Sequence, residues 1–392
     1  MNICCLLLAA RSPDVFGALA ITAAALLFYV YVGYPLLLAI LGLFFRRPRT
    51  KTGYTPSITV LIAAYNEEAA IRRKIEQTLS LEYPADKLEI LVVSDGSTDR
   101  TDEIVESEPD PRVRLLRMKV RGGKTNGQNE GVKQCRSEII VFSDATAIYH
   151  TKALLYLASH YSDPKVGAVS GRYKYFDPED SSSTGLGSVA FWNYENMIKR
   201  LQSRIGTLTG CSGCIYSVRR SNYVPLWPDA CSDLVQPLCI VRNGYRVAFE
   251  DRALAYEETT KNASQEFRMR VRVATRGMRG LLSVPQLLQP WLHGWASFQL
   301  FSHKLLRWLV PIFLILLFAG SAANLNVTSF RLLFAAQVLF YSVCLFNLLF
   351  PLHRRWKLLG IPLFFCTLNA AALVSILEVL RGHKFTTWDP IR

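Results

Sequence analysis

The sequence predicts an α/β domain on the cytoplasmic face of a membrane, held between α-helical transmembrane segments. Three observations carry this. Two apolar strand-like runs each stop at an aspartate, Leu88-Glu89-Ile90-Leu91-Val92-Val93-Ser94-Asp95 and Glu138-Ile139-Ile140-Val141-Phe142-Ser143-Asp144. No charged residue occurs from Phe16 to Phe45, and three further long apolar stretches fill the C-terminal quarter. The two runs suit strands buried on both faces, which deliver polar side chains at the carboxyl edge of a sheet, where open α/β sheets bind ligands.

Residues 1–50 are read as an N-terminal transmembrane helix and its basic flank. The charge-free run exceeds the ~20 apolar residues that cross a bilayer, and Pro35 within it is a candidate kink. A secretory signal peptide has a shorter apolar core preceded by positive charge. Here Arg46, Arg47, Arg49 and Lys51 follow the run, which places the next segment on the cytoplasmic side.

Residues 51–290 alternate strand-like and helix-like segments. Ser57–Ala64 is a strand, and Tyr65-Asn66-Glu67-Glu68 turns into a helix bearing Arg72, Arg73 and Lys74. The Leu88–Ser94 strand ends in Asp95-Gly96-Ser97-Thr98-Asp99, a tight turn with capping residues for the helix near Thr101–Ser107. A short strand at Val113–Met118, the Asp144 strand and a strand at Val166–Ser170 come next, before a Ser- and Gly-rich loop at Pro178–Gly187.

Residues 291–392 comprise an interfacial segment and three transmembrane helices, Leu305–Ala323, Leu332–Phe350 and Leu358–Leu380. Trp291–Trp308, with three Trp residues and His303, Lys304 and Arg307, is either an interfacial helix or the cap of the next span. The basic loop His353–Lys357 is expected on the cytoplasmic side, which leaves the C-terminus outside. Arg381, His383, Lys384 and Arg392 weigh against that last placement.

The formal charge of +14 is split between membrane-flanking clusters and the segment after residue 260, leaving no basic face for nucleic acid. The nine Cys are odd in number in a chain read as cytoplasmic, which excludes a disulfide framework. Cys211-Ser212-Gly213-Cys214 is a lone CxxC with no second ligand pair, a weak zinc signal. No His lies beside a carboxylate motif, so a Ser-His-Asp site has no basis.

Ala63-Ala64-Tyr65-Asn66-Glu67-Glu68, Ser94-Asp95-Gly96-Ser97-Thr98-Asp99, Gly122-Gly123-Lys124 through Asn129-Glu130-Gly131, and Ser143-Asp144-Ala145-Thr146 occur in one order. In that order the chain resembles family 2 glycosyltransferases with a GT-A fold, a Rossmann-like nucleotide-sugar-binding domain. With its membrane helices the layout is similar to that of poly-N-acetylglucosamine, cellulose and hyaluronan synthases. The resemblance implies a UDP-sugar donor held by Ala64, Tyr65, Glu67, Asp95 and Lys124, with Asp95 and Glu67 on the uridine part. It also implies Mg²⁺ or Mn²⁺ on Asp144, a hard ion that neutralises the departing diphosphate. Where the family has Asp-x-Asp, this chain has Thr146 in the second place.

The acceptor hydroxyl needs a base. In these synthases it is an Asp in a late acidic motif, and Ala230-Cys231-Ser232-Asp233-Leu234 stands there, making Asp233 the candidate with Asp229 and Glu250 as rivals. Phe267-Arg268-Met269-Arg270-Val271 occupies the place of a Gln-Arg-x-Arg-Trp motif, so Arg268 and Arg270 are expected on the donor diphosphate; they also fit lipid headgroups. Val271 replaces the Trp that stacks on a growing glycan, which bears on processivity. Trp192 and Tyr194 are candidates for the acceptor path, with helix packing as the alternative.

The expected activity is inverting transfer from a UDP-sugar to a growing glycan at the inner, cytoplasmic membrane by a multi-pass enzyme, with the lipid bilayer and accessory export subunits as further partners. Two alternatives stand beside it. One is transfer of a single sugar to a lipid carrier such as undecaprenyl phosphate, and the other is a non-catalytic sugar-nucleotide-binding scaffold, motivated by Thr146, Phe267 and Val271.

Overall fold

The computed structural model describes residues 14–45, 53–176, 183–258, 263–350, 352 and 356–386. The basic flank at Arg46–Lys51, the loop His353–Arg355, residues 178–182 of the expected polar loop, and Arg392 lie outside them, while the second half of that loop, from Ser183 to Gly187, is instead the start of a helix.

Helix α1 runs from Val15 to Phe44. Asp14 caps its start, accepting the Gly17 N–H at 2.8 Å. Pro35 has no N–H to give the carbonyl four residues back, Tyr31. A π-helical turn at Tyr29–Gly33 takes up the irregularity, and the Tyr31 carbonyl accepts the Tyr194 hydroxyl at 2.9 Å. The helix passes the proline without a break.

The soluble part is built on one eight-stranded sheet in the order β3-β2-β1-β4-β7-β6-β8-β5. In chain order its elements are β1 (Ile58–Ala64), α2 (Ile71–Leu79), β2 (Leu88–Ser94), α3 (Thr101–Glu106), β3 (Val113–Arg117), α4 (Lys124–Gln134), β4 (Ile139–Asp144), β5 (Ile148–Tyr149) and α5 (Ala153–Ser159). Then follow β6 (Val166–Phe176), α6 (Ser183–Ile205), β7 (Ile215–Arg219), α7 (Ser232–Arg242), β8 (Arg246–Glu258) and α8 (Ala263–Leu282). Strands β1 to β4 are mutually parallel, β7 runs against β4 and β6, and β8 runs parallel to β6. The carboxyl ends of β1, β2, β4 and β8 therefore share one edge.

β1 and β4 are buried on both faces, as their unbroken apolar runs require. Ile58, Val60 and Ile62 pack with Ile71 and Ile75 of α2, while Leu61 packs on the opposite face with Val93 and Phe142. β6 outruns the expected Val166–Ser170 because its pairing with β8 continues past an irregularity at Gly171/Arg172.

Helices α9 (Trp295–Trp308), α10 (Val310–Ala323), α11 (Thr328–Leu349) and α12 (Gly360–Leu380) complete the chain. Helices α1, α11 and α12 are long and apolar enough to cross a membrane, and α9 with α10 makes a fourth candidate if the bent pair is one span. The expected span at Leu305–Ala323 is not one straight helix: the chain bends by 57° between Trp308 and Val310. Pro311 fits the break, since it cannot supply the N–H that would bond back to the Arg307 carbonyl four residues earlier. The 14 residues of α10 cover only about 21 Å. α1 packs along α10, and α12 packs along α6 and α8, tying the apolar helices to the sheet domain.

Candidate active site

The site is assembled where the sheet order reverses around β1. Ala63 pairs with Asp144 of β4 and Ala64 with Ser94 of β2, so the two strand-end aspartates flank β1. Ala64 is fully buried, and its carbonyl accepts the Asp95 N–H at 2.8 Å; it shapes the edge through its backbone. The turns after β1 and β2 are stitched together. Asn66, at φ 53°, accepts the Thr98 N–H at 2.7 Å, and the Glu67 N–H donates to the Thr101 hydroxyl at 2.8 Å. The Arg121 guanidinium stacks 3.7 Å above the Tyr65 ring.

Asp95 is 1% exposed, and its two oxygens accept the N–H groups of Gly122 and Gly123, each at 2.8 Å. It thereby fixes the loop that opens α4. Gly96, at φ 73°, lies where a Cβ would stand 3.2 Å from the Arg121 nitrogen, which reserves the position for glycine.

Lys124 is the first residue of α4 and pairs with Asp144. Burial works against its charge, but the carboxylates of Asp144, Asp233 and Glu257 outweigh it and hold the ammonium's pKa above its ordinary value. Its Nζ also lies 3.5 Å from the Gly213 carbonyl oxygen. Beside Asp144, the Thr146 hydroxyl donates to Glu257 Oε1 at 2.9 Å. Burial and the nearby Asp144 charge push the Glu257 carboxyl pKa up. Lys74, one of the three consecutive basic residues of α2, is fully buried behind this edge. Its Nζ donates to the Ala147 carbonyl at 2.7 Å, and burial pushes its pKa down to about 7.

Asp233 stands in the first turn of α7. A Cβ on Gly213 would lie 3.0 Å from its Oδ2, so glycine lets the carboxylate approach the Cys211–Cys214 loop closely. Pro237 lies inside α7 and cannot bond back to the Asp233 carbonyl, which accepts the Cys211 N–H at 2.7 Å instead. The proline thus ties the candidate base to that loop. Both rivals are engaged elsewhere. Asp229 lies 3.5 Å from Arg279, and Glu250 is gripped by His160 and Arg252, each at 2.9 Å. Cys211 and Cys214 are buried free thiols, and burial raises the pKa of both, that of Cys211 to about 12.

The structure brings Asp95, Lys124, Asp144 and Asp233 to one edge and turns other expected residues elsewhere. Arg270 is held by Glu266 at 2.7 Å and lies 5.6 Å from the rings of Phe191 and Phe364, whereas Arg268 is exposed. Val271 is 8% exposed, and its carbonyl accepts the Ser375 hydroxyl of α12 at 3.1 Å. Trp192 packs edge-on against Tyr173 at 4.8 Å, and Tyr194 is committed to α1. For these two aromatics the contacts are those of helix packing.

Two contributors escaped the sequence reading. Arg276 of α8 donates from Nη2 to the Thr125 hydroxyl at 3.2 Å and from Nε to the Asp229 carbonyl at 3.2 Å, clamping the turn before Asp233. Glu257 ends the run Leu254-Ala255-Tyr256, so the strand-end signal that identified Asp144 was present there as well.

Residues 59–224 match the model of glycosyl transferase family 2. The chain carries a family 2 glycosyltransferase domain. Over 234 residues it is 30% identical to the poly-beta-1,6-N-acetyl-D-glucosamine synthase of Staphylococcus epidermidis, covering 57% of this chain and 55% of that protein. The synthase of the same name from Staphylococcus aureus strain COL is 27% identical over 246 residues, 60% of this chain and 58% of its own length. The chain therefore spans little more than half the length of these relatives. A mannosyltransferase from Pyrobaculum calidifontis, solved in complex with GDP-Man and Mn²⁺, shares the fold at a TM-score of 0.70. That similarity covers 93% of this chain and 99% of the mannosyltransferase, at 22% identity. The glycosyltransferase domain has the GT-A fold, with apolar helices on either side of it in sequence.

Proposed function

We propose that the chain is a multi-pass membrane glycosyltransferase that moves a sugar from a nucleotide diphosphate, UDP by the family resemblance of its motifs, to a growing glycan. One observation carries this reading most. Lys124 joins the donor edge to the acceptor side, pairing with Asp144 and reaching toward Gly213, against which Asp233 packs. The reading places the catalytic domain at the cytoplasmic face of the inner membrane, consistent with the basic flank that follows α1.

In this mechanism Asp233 accepts the proton of the acceptor hydroxyl as its oxygen attacks the anomeric carbon. The bond to the diphosphate breaks on the opposite face, and the configuration inverts. Lys124 offsets charge on the leaving diphosphate. Asp144 and Glu257 fit a hard divalent ion, because Mg²⁺ and Mn²⁺ sites use one or two carboxylates with substrate phosphates rather than an all-protein cage. When bound, that ion would stabilise the departing diphosphate as a Lewis acid. Buried Asp95 holds the loop from which Lys124 projects.

A second reading, transfer of one sugar to a lipid carrier, is favoured by Val271. The place where processive synthases carry a stacking Trp here packs against α12. Purified chain in lipid, given UDP- and GDP-sugars with Mg²⁺ or Mn²⁺, is expected to release nucleotide from one donor, and Asp233→Asn to lose that release. Product size then separates a glycan from a single transfer. Donor binding without release, even after membrane extract is added as a source of acceptor or partner, would leave the scaffold reading.

A further inference from the structure

The resemblance called for a second carboxylate two residues after Asp144, and Thr146 stands there instead. The structure supplies a carboxylate at that place from another strand. β8 pairs with β5 through Ile148–Tyr256 and Tyr149–Ala255, so Glu257 emerges one residue beyond the last rung, at the edge where β4 ends. There Thr146 donates its hydroxyl to Glu257 Oε1 at 2.9 Å. We infer that Glu257 is the second metal-binding carboxylate of this domain, moved from β4's own turn onto β8 and aimed by Thr146.

The chemistry supports the exchange. A carboxylate has about four lone-pair positions, so the hydrogen bonds from Tyr173 and Thr146 still leave Glu257 able to bind a cation. Threonine's hydroxyl both donates to the carboxylate and fixes its rotamer, as the outer partners of metal ligands do. Asp144 and Glu257 together with phosphate oxygens form the donor set that Mg²⁺ and Mn²⁺ favour. A purely structural role for Glu257 would need only an acceptor for Thr146 and Tyr173, and the two lone pairs of a glutamine oxygen provide that.

This inference rests on the metal-assisted reading above, and the test separates the two. Mn²⁺ binding to the full-length protein in lipid nanodiscs is measured by electron paramagnetic resonance, with UDP or GDP present and absent. Glu257→Gln, which keeps the acceptor for Thr146, is expected to weaken Mn²⁺ about ten-fold or more, in the range seen when metal-site partners are removed. Adding Thr146→Asp to Glu257→Gln is expected to restore affinity to near the native value. Thermal unfolding of each variant without metal verifies that the fold persists. If Asp144→Asn abolishes Mn²⁺ binding while Glu257→Gln binds as the native chain does, Glu257 is no ligand and the inference falls with the metal reading intact. If the native chain binds no Mn²⁺ even with nucleotide, the metal reading falls and takes the inference with it.

Discussion

Replacing Asp95 by alanine isolates what a buried carboxylate does before any donor arrives. The side chain is 1% exposed and receives two N–H groups, those of Gly122 and Gly123, each at 2.8 Å. Hydrogen bonds to a charged group contribute about 1.5–3 kcal/mol each, and the loss is largest when the abandoned donors stay buried. The pair therefore accounts for about 3–6 kcal/mol in Asp95→Ala. For a domain of this size about 1 kcal/mol corresponds to ~2–4 °C in Tm, so a fall of about 6 °C or more is expected. Asp95→Asn keeps one acceptor and sets an amide against the other N–H, so it should fall between the two. The assay is thermal unfolding in detergent without nucleotide, followed by calorimetric titration with UDP, which should bind weakly because the Lys124 loop has lost its anchor. An unfolding temperature for Asp95→Ala within about 2 °C of native would refute the argument, since it would mean that the loop is held by something other than this carboxylate.

Two other predictions concern stability away from the donor edge. Glu250 is buried, yet His160 and Arg252 hold its carboxyl well below the ordinary 4.5, at about 2. A depressed folded-state pKa gives stability that is full above about pH 4.5 and lost as pH falls toward about 2. Glu250→Gln should therefore lie about 3 kcal/mol below native at pH 7, with the gap shrinking below about pH 4.5 and closing only near pH 2, as read from paired melting curves. In the apolar helices, a Cβ on Gly320 would lie 2.4 Å from the Phe16 carbonyl oxygen and 2.7 Å from Ala20 Cβ. Gly320→Ala should force α10 away from α1 and lower the melting temperature in detergent by the equivalent of about 1–3 kcal/mol, whereas an unchanged melt would show that this contact is loose.

The donor edge was legible because its signal is local. A buried strand that stops at an aspartate declares its position through its own residues, and β2 and β4 fall where the runs before Asp95 and Asp144 place them. What stayed hidden depends on partners distant in sequence. Glu257 gains its meaning from β8 running parallel to β4, which the sequence does not state. Tyr194 carried two readings until the carbonyl that Pro35 leaves free was seen to take its hydroxyl. Lys74 reads as one of three consecutive basic residues, and its burial follows from the fold bringing Ala147 and Tyr149 over its ammonium. The bend before Val310 was not legible at Leu305–Ala323 because hydropathy does not register the donor that Pro311 removes.

The reversal of β7 against β4 has an architectural outcome for how such a domain can diversify. A sheet of parallel strands presents only departing loops at its carboxyl edge. Because β7 runs the other way, with Ser143 opposite Ile215, the Gly210–Cys214 loop arrives at the edge from which Asp144 departs. Two stretches separated by a long insertion in the chain meet across a single rung. On the function proposed above, the part before residue 144 can stay fixed for the donor while the arriving loop and the turn at Asp229–Asp233 are rewritten for new acceptors. One strand running backwards gives the two sides of the edge independent addresses in the sequence.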